Sequence, residues 1–222
     1  MISRVLEPEL MDTSEDALAY DAMDHNEPNQ AFVERLLELG AHGEMLDVGT
    51  GPGHIPLLVC ARISDGTVLG VDLARSMLAL AERRRLASPH ADRVRYELAD
   101  AKKLPFADQS FDTVFSNTLL HHLPEPVHFL REAARVLRPG GALLIRDLFR
   151  PDSTERAREL VARYAPGANE TQQRLFYDSF CAALTPLELR AAATEAGLRR
   201  AAIVLDTDRH MSLQIASIRE AA

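Results

Sequence analysis

Between residues 44 and 148, short apolar runs alternate with segments of helical period, and this narrows the possible folds more than any other feature. "GEMLDVG" precedes "HIPLLVCARI", and "GTVLGVDL" precedes "SMLALAERRRLA". "RVRYELAD", "FDTVFSN", the helical "PEPVHFLREAARVL" and "GALLIRDLF" follow in turn. Strand and helix at this spacing predict βαβ units and a parallel sheet. Pro56 is compatible with the first helix, because first-turn N–H groups lack intrahelical partners. "RPGG" is expected to close the helix before the fifth strand, whose continuous apolar run suits burial on both faces.

Two further helices are expected at "STERARELVARY" and "TPLELRAAATEAG". The second has Thr185, Pro186 and Glu188 at its start, a capping-box pattern, and Gly197 at its end. "LRRAAIVLD" and "RHMSLQIASIRE" read as strands joined by Thr207-Asp208, a link too short for a parallel crossover. The expected architecture is therefore α/β and Rossmann-like. It has a seven-stranded, mostly parallel sheet with helices on both faces and a C-terminal antiparallel hairpin.

At 222 residues the chain has material for one domain. Residues 1–30 read as a polar lead or cap with one short helix, "SEDALAYDAM". Residues 31–148 form the ligand-binding core, opened by the helical stripe Phe32, Val33, Leu36, Leu37 and Leu39. The stretch 149–184 is the expected lid, with Phe176, Tyr177 and Phe180 as its apolar face or as plain core contacts. Residues 185–222 supply the last helix and hairpin. Cys60 and Cys181 sit in apolar surroundings, and no Cys/His spacing suggests zinc. With 25 basic against 33 acidic residues, the charge of −8 disfavours a nucleic-acid partner. Arg83-Arg84-Arg85 reads as a solvated helix face. The N-terminus lacks a secretory pattern and no run reaches membrane-span length, so a soluble, cytoplasmic chain is expected.

The loop "VGTGPGH" ends the first strand, at the edge where open α/β sheets bind ligands. No Lys-Ser or Lys-Thr follows, so it is not a Walker loop. The dinucleotide pattern GxGxxG fails as well, since Gly49 and Gly51 fit but His54 occupies the third glycine's place. Asp72 ends the second strand, where a carboxylate can accept both hydroxyls of a ribose; the competing role is a helix N-cap. Asp100 ends the third strand and could accept from an exocyclic amine. Ser116, Asn117, His121 and His122 follow the fourth.

"LDVGTGPG", "GVDLARSML", "LADAKKLPFADQSFDTVFSNTLLHHL" and "EAARVLRPGGALLI", in this order, resemble class I S-adenosylmethionine (SAM)-dependent methyltransferases. The likeness is to the small-molecule branch that includes ubiquinone/menaquinone C-methyltransferases, and covers roughly residues 30–148. It implies SAM as cofactor. Asp47 and the loop Gly49, Thr50, Gly51 and Gly53 would meet its methionine part, Asp72 its ribose and Leu73 its adenine. Asp100 and the Ala101 backbone would read the adenine edge, and Ser116 and Asn117 would sit beside the sulfonium and acceptor. Tyr20 resembles an N-terminal aromatic that some members fold over SAM.

SAM carries no phosphate, which explains a glycine loop without lysine. Methyl transfer is an in-line displacement, for which the protein mainly supplies alignment and water exclusion. A base is needed only if the acceptor must lose a proton. The candidates are His121 and His122, with His25 and His210 behind them. Asp147 could orient an acceptor or pair with Arg146. The expected partner is a small-molecule acceptor, with neither a nucleic acid nor a metal. Competing readings are a non-catalytic SAM-binding module, an NAD-dependent oxidoreductase, and a nucleic-acid or protein methylase. For nucleic-acid amino groups "NPPY" would be expected where this chain has "SNTL".

Overall fold

The computed structural model describes residues 2–7, 12–13 and 26–218. Tyr20, His25 and the helix expected at "SEDALAYDAM" lie outside the described residues. The seven strands are β1 (Glu44–Val48), β2 (Thr67–Asp72), β3 (Val94–Leu98), β4 (Phe111–Asn117), β5 (Leu137–Leu148), β6 (Ala202–Leu205) and β7 (His210–Ile215). They form one sheet in the order β3-β2-β1-β4-β5-β7-β6. Pairs from β3 to β5 are parallel, and β7 runs antiparallel between β5 and β6. Helices α1 (Asn26–Glu38), α2 (His54–Arg62), α3 (Arg75–Leu86) and α4 (Pro126–Val136) accompany the parallel strands. Later come α5 (Thr154–Tyr164), α6 (Glu170–Ala182) and α7 (Pro186–Glu195).

Strand alternation splits the core into two layers. Leu143 and Ile145 join Leu46, Val48, Phe129, Leu130 and Leu189 on one face of the sheet. Leu144 joins Met45, Phe115, Phe32, Leu36 and Val59 on the other. The order of strands reverses between β1 and β4, so their carboxyl ends open a crevice there.

Two expectations change, and between them one open alternative is resolved. The "RPGG" segment does not end in a loop: β5 starts at Leu137, with a register shift opposite Phe111–Thr113 and Gly140 at φ 81° absorbing the bend. Residues 149–184 fold into α5 and α6, whose cap Asn169 bonds Gln172 reciprocally. Phe180 is fully buried against Leu148, Ala157 and Leu160, with Phe176 and Tyr177 packed beside it, so these rings build a core. Among the three arginines only Arg83 is exposed; Arg84 bonds the Pro52 carbonyl and Arg85 clasps Glu82. No helix among the described residues is long and apolar enough to cross a membrane.

Candidate active site

The crevice has a volume of about 1130 Å³, its open mouth included. Its floor is the β1–α2 loop. Gly49 and Thr50 donate their N–H groups to the Val71 carbonyl at 2.8 and 2.9 Å, which ties the loop to β2. Gly53 caps α2 at φ 77°, and a Cβ there would strike the Tyr96 hydroxyl and Ala81. Gly51, at φ 54°, has open space where its Cβ would be, so the backbone itself faces the crevice.

Asp47 is 1% exposed and accepts from the Thr50 hydroxyl at 2.7 Å. Burial raises its carboxyl to about 7 despite that bond, and the nearby Asp72 adds to the rise. Asp72 accepts from Gly51 N–H at 2.8 Å through one oxygen and from Ala74 N–H at 2.9 Å through the other. The ribose-acceptor and helix-capping readings are thus compatible, because each carboxylate oxygen keeps a second lone pair. Burial raises this carboxyl too, with the backbone N–H groups opposing. Leu73, 38% exposed, and Ala101 line the same wall. Asp100 accepts from the Lys102 N–H and ammonium, both at 2.9 Å. Burial works to raise its carboxyl, and Lys102 holds it below the ordinary value.

Ser116 is a correction. It is 0% exposed and donates to the Val48 carbonyl at 2.6 Å, so it fastens β4 to β1 without facing the crevice. Asn117 does line the crevice, with its side-chain oxygen accepting from Arg146 at 3.0 Å. Asp147 pairs with His121 rather than with Arg146: its oxygens take the His121 N–H at 2.9 Å and meet ring Nδ1 at 2.7 Å. Burial pulls His121 down, but Asp147 outweighs it and the ring is raised; at 5% exposure it stands behind the crevice wall. His122 is in the wall itself, and burial, then the neighbouring His121, pushes it down to about 3. His210 lies on β7, opposite Leu148 and away from the crevice.

Sequence reasoning missed Asn29, Thr118 and Glu7. Asn29 is buried on the α1 face that carries Phe32, Val33 and Leu36, and it lines the crevice. A polar residue in an apolar stripe was the available signal. Thr118 lines the wall at φ 58°, a conformation β-branched residues seldom take, so nothing in its type announced it. Glu7 reaches His122 Nδ1 at 3.4 Å from far away in the chain.

Residues 46–145 match a family described as a methyltransferase domain. Through that stretch the chain is similar to methyltransferase domains. It is 41% identical over 112 residues to the 27-O-demethylrifamycin SV methyltransferase of Amycolatopsis mediterranei, covering 50% of this chain and 41% of that protein. It is 37% identical over 110 residues to the demethylmenaquinone methyltransferase of Symbiobacterium thermophilum, covering 49% and 44%. The chain thus spans less than half of either relative through the matched region. The methyltransferase fold extends well past that region. A SAM-dependent methyltransferase structure from Aquifex aeolicus superposes over 93% of this chain and 99% of its own, with TM-score 0.65 at 18% identity.

Proposed function

We propose that this protein transfers a methyl group from SAM to a small-molecule acceptor. The observation that carries the reading is the Asp72 carboxylate, fixed by the N–H groups of Gly51 and Ala74 at the crevice edge with acceptor capacity to spare. The other residues fit the same ligand. The open space above Gly51 admits a group against the backbone, and N–H groups at the start of α2 suit a carboxylate. Asp47, buried and raised, gains by a neighbouring ammonium. Leu73 offers an apolar wall for a purine, with Asp100 and Ala101 beside its edge. Bound there, SAM supplies a methyl group already activated on a sulfonium.

What the chain adds is placement. Asn117, Thr118, Leu119, His122 and Leu123 wall the other end of the crevice, where we put the acceptor, with His121 behind them. Alignment of two bound reactants can supply roughly 7–11 kcal/mol of the barrier. Relatives named for rifamycin and menaquinone intermediates support a small organic acceptor. The charge of −8 supports a partner other than nucleic acid, and a cytoplasmic setting is part of the same reading.

Isothermal titration with S-adenosylhomocysteine tests the proposal, with NADH as the rival ligand. Asp72→Ala should weaken S-adenosylhomocysteine binding by about tenfold or more, since a hydrogen bond to a charged group is worth ~1.5–3 kcal/mol. Binding of NADH alone, or unchanged affinity in the variant, would sink it.

A further inference from the structure

Three side chains from two distant segments meet beside the acceptor end of the crevice. His121 and His122 come from the 3-10 turn Leu120–His122, and their rings lie 4.0 Å apart. Glu7 comes from the N-terminal segment 2–7. That segment is strapped down by Arg4, which donates to the carbonyls of Ala182 at 2.7 Å and Leu123 at 2.8 Å. Val5 adds a backbone bond to Cys181. One carboxylate oxygen and one ring nitrogen from each histidine all lie within 4.8 Å of one another.

We propose that Glu7, His121 and His122 form a binding site for a divalent transition metal ion of the zinc class. Two imidazoles and one carboxylate are a donor set for such ions, and a three-ligand set leaves positions open for a further oxygen. Donors about 2.1 Å from a tetrahedral ion lie about 3.4 Å apart, so the group must contract modestly. Glu7 can supply that movement. Its Oε1 is buried without a hydrogen-bond partner, and His121 and Ser179 only partly offset the burial of the carboxylate.

A second observation points the same way. Asp147 holds His121 through Nδ1, which fixes the ring and leaves Nε2 as its remaining donor. A carboxylate behind a histidine is the outer-sphere arrangement that orients metal-ligating imidazoles. The sequence hid the site because Glu7 lies 114 positions before His121. On the methyl-transfer reading, an acceptor hydroxyl or enol reaching an open position would bind as its oxygen anion, its proton passing to water. The site itself rests on the geometry and stands apart from that reading.

The test is titration of chelator-treated full-length protein with Zn²⁺ by calorimetry and with Co²⁺ by visible absorption. One equivalent should bind and give the intense absorption of a low-coordinate Co²⁺ site. Glu7→Gln and His122→Ala should each weaken binding by at least roughly tenfold, and Asp147→Asn by about 10–100-fold. Melting curves verify folding of each variant, and His122→Ala carries the test if Glu7→Gln does not fold. Absence of stoichiometric binding would overturn the proposal. So would binding equal in wild type and variants, which belongs to surface histidines such as His128. A parallel titration with S-adenosylhomocysteine reports on the cofactor reading separately.

Discussion

The two ends of the crevice are built differently. At the β1–β3 end, most anchoring bonds join groups close to a strand terminus: Gly49 and Thr50 to Val71, Asp72 to Gly51 and Ala74, Asp47 to Thr50. At the other end, the turn Leu120–His122 is held by Asp147 from β5, and Glu7 arrives on a strap tied to α6 by Arg4. One end is assembled by neighbouring strand ends, the other by segments far apart in the chain. A shared donor needs the first kind of construction, while acceptors that differ between relatives can be accommodated by changing the second.

The sharpest way to probe the sheet-built end is to put a Cβ into its loop and compare it with an open glycine elsewhere. Gly53→Ala should cost about 2–4 kcal/mol in urea unfolding, from left-handed backbone strain plus overpacking against Ala81 and Tyr96. Gly167→Ala, in the α5–α6 link where nothing lies within 4 Å, should stay within ~0.5 kcal/mol. Equal costs would show that close packing around Gly53 does not hold the β1–α2 loop.

Asp47 gives the next largest effect. Its carboxyl is raised from 3.8 to about 7, so between those values the folded chain binds more protons than the unfolded one. Stability contributed by this residue therefore falls as pH rises through that window. Asp47→Asn, which keeps an acceptor for Thr50, should gain on wild type by about 1–3 kcal/mol between about pH 5 and pH 8. A pH-independent difference between the two unfolding curves would contradict the burial argument.

Arg4→Ala should cost about 1 kcal/mol and speed hydrogen exchange at Val5 while leaving S-adenosylhomocysteine affinity unchanged. A loss of that affinity would mean the ends are coupled. The smallest expected effect on stability is that of Asp100→Ala, within ~0.5 kcal/mol. Its half-exposed side chain is paired with its neighbour Lys102, so any change should appear in cofactor titration instead.

The same contrast explains what the sequence disclosed. Around Asp47, Gly49–Gly53, Asp72 and Asp100, the residues stand at strand ends that apolar periodicity locates, so position along the chain translates into position in space. Ser116 shows the limit of that rule: it is at the right strand, but β4 alternation turns it toward Val48. The α6 helix carries Phe176, Tyr177 and Phe180 on one side, a pattern that suits a lid or a core equally until Leu148 and Leu160 are seen against it. The early start of β5 was masked by Pro139 and two glycines, which a bulged strand tolerates and a loop favours. Glu7 was illegible because its partners are set by tertiary contacts of Arg4, and no local propensity encodes those.

The bonds from Gly51 and Ala74 to Asp72 are made by the protein alone, before any ligand enters. This part of the seat is therefore finished in advance, and the β1–α2 loop does not have to be ordered during capture. Association of the cofactor should run at ordinary collision-limited speed, insensitive to substitutions around the loop. Differences in affinity among loop variants should instead be written in residence time.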